Sequence, residues 1–169
     1  MKADELIAAL ERNGCAILAL YEGVPAETAR WRPAPEKWSL LEILNHLCDE
    51  ERGDFRRRLE LVLRDPEAEW PPWDPEKLVT EKSYNTRRLA ESLDDFRNER
   101  MASLEWLRAL KEPDWGCTKR HPKLGPLSAG DLLAAWTVHD VLHIRQIANT
   151  QIAWITEASK PHSTRYAMP

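Results

Sequence analysis

Residues 136–147 read WTVHDVLHIRQI. Two histidines, His139 and His143, stand four apart in a mostly apolar run of helical character. At about 100° per residue, positions i and i+4 of a helix differ by about 40°, so both imidazoles point the same way. The stripe Leu132, Trp136, His139, His143, Gln146, Ile147 and Thr150 advances in helical steps and carries both histidines on its inward face. Imidazoles turned inward must be hydrogen-bonded or bound to an ion. The run therefore predicts a long helix with a polar inner site.

A third histidine has a comparable setting upstream. In LLEILNHLCDEE, residues 40–51, the positions Ile43, His46, Leu47 and Glu50 share one helical face. Ser39 followed by Glu42 is a capping-box signature, which starts this helix. Two long helices thus offer three inward histidines. On the residues alone, a metal centre and a hydrogen-bonded polar core are both open, because an HxxxH pair also occurs by chance.

The prolines set the outer limits of these helices. All 12 fall at 25, 33 and 35, then 66, 71, 72 and 75, then 113, 122 and 126, with 161 and 169 in the tail. Proline in a helix interior removes a hydrogen bond and clashes with the preceding turn, so the long proline-free runs read as helices. They span about 3–22, 39–64, 85–111 and 128–157. Leu89, Leu93, Phe96, Met101, Leu104 and Leu107 mark the inner stripe of the third. The expected fold is all-α: a four-helix bundle with long connecting loops at about 23–37, 65–84 and 112–127. These loops carry Trp31, Trp70, Trp73 and Trp115, placed to pin them to the bundle. A single domain over 1–160, followed by a tail at 161–169, is expected. No strand is expected, and KLVT at 77–80 is too short to read as one.

Composition narrows the function classes. Hydrophobic residues make up 43% and charged residues 31%, with a formal net charge of −4. That balance gives no electrostatic reason to expect a nucleic acid or an anionic membrane as partner. The basic cluster in FRRRLELVLR, residues 55–64, is flanked by acidic residues and reads as a solvated helix face. The N-terminal MKADELIAALERNG has no signal-peptide apolar region, and no run reaches transmembrane length. Cys15, Cys48 and Cys117 contain no CxxC and make no disulfide framework, which fits reduced thiols in the cytoplasm. Cys15 and Cys48 are expected as small core residues and Cys117 in a loop.

The helix entrance RPAPEKWSLLEILNHLCDEE and the run HDVLHIRQI together resemble the DinB-like superfamily of four-helix-bundle proteins, which includes thiol S-transferases of the YfiT type. The resemblance spans nearly the whole chain. Its pattern places one metal-ligand histidine on the second helix and an HxxxH pair on the last, commonly followed by Gln three residues on. His46, His139, His143 and Gln146 fill those places. The resemblance implies an open His₃ site for a divalent metal, with zinc, nickel or iron all compatible, and a homodimer. It also points to transfer of a low-molecular-weight thiol to a small electrophilic substrate, while metal-assisted hydrolysis would use the same ligands. The alternative is a non-catalytic, dimer-forming binding module or stress-response protein in which the histidines join helices.

Supporting residues follow from position. Asp49 and Glu50 lie one turn beyond His46 and are candidates to orient an imidazole or accept a proton; a solvated stripe is the other reading. Gln146 is a candidate partner for a ligand histidine. Asp140 points about 100° away from His139 and is not expected as a ligand. Arg145 lies off the histidine stripe and suits an interface. His121 and His162 are expected in solvent.

Overall fold

The computed structural model describes residues 2–167. Four long helical segments form a bundle, as expected. Helix α1 spans Ala3–Leu20, and a short α2 spans Ala26–Arg30. Helix α3, Leu40–Asp49, continues through a π-helical turn, Glu50–Phe55, into α4, Arg56–Arg64. Helix α5 is Pro75–Glu81, α6 is Leu89–Ala109 and α7 is Ala129–Ala158. The predicted capping box starts α3: Ser39 Oγ accepts from the Glu42 amide at 3.1 Å, and Glu42 Oε2 accepts from the Ser39 amide at 2.8 Å. A second box, Ser128 with Asp131, starts α7.

Four local expectations give way. A two-stranded antiparallel hairpin, β1 Thr118–His121 and β2 Gly125–Ser128, stands where no strand was expected. Its four-residue strands are too short to show alternation. Pro126 pairs opposite Arg120 but sits in a two-stranded sheet, where each strand has an open edge that needs no donor. Gly125, at φ +79°, makes the turn, and the indole of Trp70 pins the hairpin by donating to the Arg120 carbonyl at 2.8 Å. His121 ends β1 beside the turn, its Nδ1 accepting from the Lys123 amide at 3.2 Å. KLVT lies inside α5, which Asp74 caps and Pro75 opens. The third long helix starts at Leu89 because residues 84–86 form a 3₁₀ turn. Residues 165–167 of the expected tail form another, while 168 and 169 lie outside the described residues.

Two side-chain placements also differ. Met101 is 52% exposed, because Arg100 occupies the inward position beside it. Cys15 is exposed beside the buried Gly14; Cys48 is buried, as expected, and Cys117 is half-buried.

The apolar core has two ends. One packs Ile7, Leu10, Leu59, Leu107, Leu133 and Trp136; the other packs Ile17, Leu41, Leu44, Phe96 and Ile147. Between them in sequence, on every long helix, comes a polar layer. Arg100 of α6, 5% exposed, is its centre. Its guanidinium donates to Asp140 of α7 at 2.7 and 2.8 Å, to Glu51 of the π turn at 2.6 and 2.9 Å, and to the Leu10 carbonyl of α1 at 2.6 Å. The indole of Trp136 also donates to Glu51, at 3.0 Å. Burial pulls the guanidinium pKa down, but the Glu51 and Asp140 carboxylates outweigh it and hold Arg100 above its ordinary value. Gly14 makes room for this side chain, since a Cβ there would meet Arg100 Cγ at 3.0 Å. A mid-helix glycine costs roughly 0.5–1 kcal/mol against alanine, so the close approach explains its presence.

Removing one partner of a buried charge network leaves the others desolvated and unpaired. Arg100→Met is expected to lower unfolding free energy by about 3–5 kcal/mol, read from the urea midpoint. Adding Glu51→Leu and Asp140→Leu to that variant should restore much of the loss. A single-variant loss below about 1 kcal/mol, the range of surface pairs, would show that the network is not the tie between helices.

Candidate metal centre

The three histidines predicted from sequence meet. His46 comes from α3, and His139 and His143 come from successive turns of α7. His46 Nε2 is 3.1 Å from His143 Nε2, which is 3.1 Å from His139 Nε2. One ring nitrogen from each lies within 4.8 Å of the others. Among the described residues no cysteine or carboxylate joins this group. Divalent zinc sits about 2.0–2.1 Å from imidazole nitrogen, which spaces nitrogens around a tetrahedral ion by roughly 3.3 Å. The two spacings to His143 are close to that value.

Burial keeps the rings neutral, the form a ligand needs. It pushes His46 down to about 2, helped by the nearby His143 and His139. It pushes His139 down to about 3, helped by His143 and Arg100, and it lowers His143 as well. Each ring must also turn a lone pair inward. For His143, Gln146 Oε1 lies 2.7 Å from Nδ1. The amide oxygen only accepts, so the proton sits on Nδ1 and leaves the Nε2 lone pair facing the cluster. Glu50 Oε1 lies 3.5 Å from His46 Nδ1, longer than a hydrogen bond.

Glu50 and Asp49 separate here. Glu50 faces the histidines and accepts from the Trp73 indole at 2.7 Å. Burial and the nearby Asp54 raise its carboxyl to about 8. Asp49 is tied elsewhere, accepting from Lys82 at 2.7 Å and from the Tyr84 hydroxyl. The sequence placed both one turn beyond His46; adjacent helical positions point about 100° apart, and Lys82 and Tyr84 hold Asp49 away from the cluster. Asp140 is in the Arg100 network, off the cluster, as its 100° offset required.

The cluster opens into a cavity of about 640 Å³. Trp38, Phe55, Trp73, Glu50 and Asp54 are among its walls. The Trp38 ring is 5.0 Å from that of His46, and the Phe55 ring is 5.1 Å from that of His139. Trp73 reaches the site because residue 53 is glycine: a Cβ there would meet its ring at 2.5 Å. Sequence reasoning had missed Trp38, Phe55 and Asp54. A signal existed for Asp54, since His46, Glu50 and Asp54 follow at steps of four. None existed for the aromatics, whose contacts arise from tertiary packing.

Comparison with known proteins agrees with this architecture. No curated protein matches the chain. The fold is similar to that of YfiT from Bacillus subtilis, described as "a probable metal-dependent hydrolase with an unusual four-helix bundle topology". The two share 19% identity at a TM-score of 0.77, over 88% of this chain and 85% of that one. The family model of the DinB superfamily matches residues 9–147, a span that includes all three histidines and Gln146. On that match, the chain belongs to the DinB superfamily.

Proposed function

We propose that the protein is a metal-dependent enzyme in which His46, His139 and His143 hold one divalent ion and leave part of its coordination open to substrate. The observation that carries this reading is the pairing of a three-nitrogen cluster with a cavity: the ligand atoms converge, no fourth protein ligand closes the set among the described residues, and the histidines line open space. Structural zinc sites are closed by four protein ligands, so the open side favours catalysis over a purely structural tie. A divalent ion held there supplies Lewis acidity, which lowers the pKa of a thiol or water entering the open position.

The reaction we infer is transfer of a low-molecular-weight thiol to a small electrophile. The thiol gives its S–H proton to solvent, its sulfur bonds the electrophilic carbon, and the leaving group departs with the displaced electron pair. This chain's residues provide the setting. The histidines present neutral nitrogens, Gln146 fixes the His143 tautomer, and Trp38, Phe55 and Trp73 exclude water from one side of the cavity. Hydrolysis is the second reading; what favours it is the description of the structurally similar YfiT as a probable metal-dependent hydrolase. The reading includes a homodimer in the cytoplasm. Val138, Val141, Ile152 and Ile155 are 51–57% exposed along α7 and support self-association; three free cysteines suit a reducing compartment.

Elemental analysis of untagged protein should find about one divalent ion per chain. His143→Ala should lose it. Gln146→Leu should keep the site but weaken affinity roughly 10–100-fold, as loss of a ligand-orienting partner does. His46→Ala separates enzyme from structural tie. A folded variant with no thiol-transfer or hydrolytic turnover supports the enzyme, whereas collapse of the fold with no turnover in the metal-loaded wild type supports the tie. A chain that takes up no zinc, nickel or iron on dialysis would sink the proposal.

A further inference from the structure

The histidine cavity does not end at the cluster. A second cavity, of about 620 Å³, lies between the connector before α3 and the middle of α7. The two share Lys37, Trp38, His143 and Gln146, so they are arms of one groove that meet at the candidate metal centre.

The arms differ in charge. The first is lined by Glu36, Glu50, Asp54 and Glu76, with Lys37 at its inner end. The second has no acidic residue in its wall and has two cations, Lys37 and Arg145. Both cations are exposed, and among the described residues neither side chain makes an ion pair or hydrogen bond. Other basic residues around the site are engaged: Arg58 with Asp54, Lys82 with Asp49 and Arg32 with Glu42. The rest of the second arm is amphiphilic. Pro33, Leu142 and Ala153 supply apolar wall, while Asn149 and Thr150 supply polar groups.

We propose that this second arm is the substrate-recognition subsite and takes a small amphiphilic organic anion. Its terminal anionic group, carboxylate or phosphate, lies between Lys37 and Arg145. Its apolar body lies along Pro33, Trp38 and Leu142. Its other end then reaches His143 and Gln146, where the arms join. The polarity of the groove fixes this orientation, because Glu36 and Glu76, the two exposed and unpaired acidic residues of the first arm among the described residues, disfavour an anion placed there. The inference rests on the proposed metal-dependent reaction for its meaning, but binding in this arm requires no metal.

The test uses the metal-free chain and isothermal titration calorimetry with 4-phenylbutyrate, 4-phenylbutyl phosphate and the neutral 4-phenylbutanamide. At least one anion should bind about tenfold more tightly than the amide, the preference that two partly exposed charge contacts supply together. The tighter of the two anions identifies the group that the arm prefers. Lys37→Glu should abolish the preference for anions. This variant lies off the apolar face of α7, so it leaves self-association, followed by sedimentation, unchanged. Arg145→Glu, on the exposed face of α7 with Val141 and Ile152, should also abolish the preference for anions, and both variants should bind one zinc ion as the wild type does. Equal binding of anion and amide, or an anion preference that survives both substitutions, would overturn the proposal. Loss of zinc binding in the wild type would instead count against the metal centre, so the two failures are distinguishable.

Discussion

The placement of the histidines depends on one buried cation. Arg100 is the point at which α1, the π turn, α6 and α7 are joined, through a main-chain carbonyl and two carboxylates. Its two acidic partners each stand one residue from a group at the site: Asp140 follows His139, and Glu51 follows Glu50. A slip of α7 by one residue would turn Asp140 by about 100° from the guanidinium and carry His139 and His143 with it. Apolar packing alone fixes such a register weakly, since cores tolerate rearrangement among similar side chains. An unpaired buried carboxylate does not tolerate it. The network therefore acts on the site through register, although none of its charged members belongs to the histidine cluster.

The π turn solves a related problem. Glu50 and Glu51 are adjacent, both are buried, and they serve different centres: Glu50 meets Trp73 and His46, and Glu51 meets Arg100 and Trp136. The wider Glu50–Phe55 turn interrupts the regular progression of side chains along α3 and α4. It also sets Phe55 parallel to Trp136, with ring centroids 5.6 Å apart and planes at 6°. Gly53 on the same turn leaves space for Trp73 to close over. A six-residue irregularity thus supplies one wall of the cavity and one anchor of the core.

What could be read from sequence follows from what each feature depends on. The long helices depend on proline spacing, caps and apolar stripes, all local, and their bounds fall within a few residues of expectation. His46, His139 and His143 were legible because helical geometry projects each onto a known face and because the family pattern joins the two faces. The π turn was not legible, since its residues fit an α-helix equally well. Arg100 was hidden by composition: in DDFRNERMASL, residues 94–104, an inward arginine looks like one more solvent charge beside Met101. Its role appears only when Gly14, Glu51 and Asp140 from three other segments arrive around it. The β1–β2 hairpin was hidden for a different reason, because four-residue strands, one of them containing proline, carry no period to detect.

On the proposed reading, the cluster and the groove divide the chemical task by dielectric. The three imidazoles sit where burial suppresses protonation, which holds them in the form that can bind a cation. Lys37 and Arg145 sit where solvent reaches them, so they keep their charge without needing a protein partner and stay free to meet a ligand. If these positions were exchanged, both functions would fail: exposed histidines would protonate more readily below neutral pH, and buried unpaired cations would destabilise the fold. Trp38 borders both arms of the groove and lies beside His46, at the boundary between the two environments. A substrate spanning that boundary would place its charged end beside the exposed Lys37 and Arg145 and its reacting end at the more buried histidines. There, electrostatic interactions with the histidine-held site are strongest.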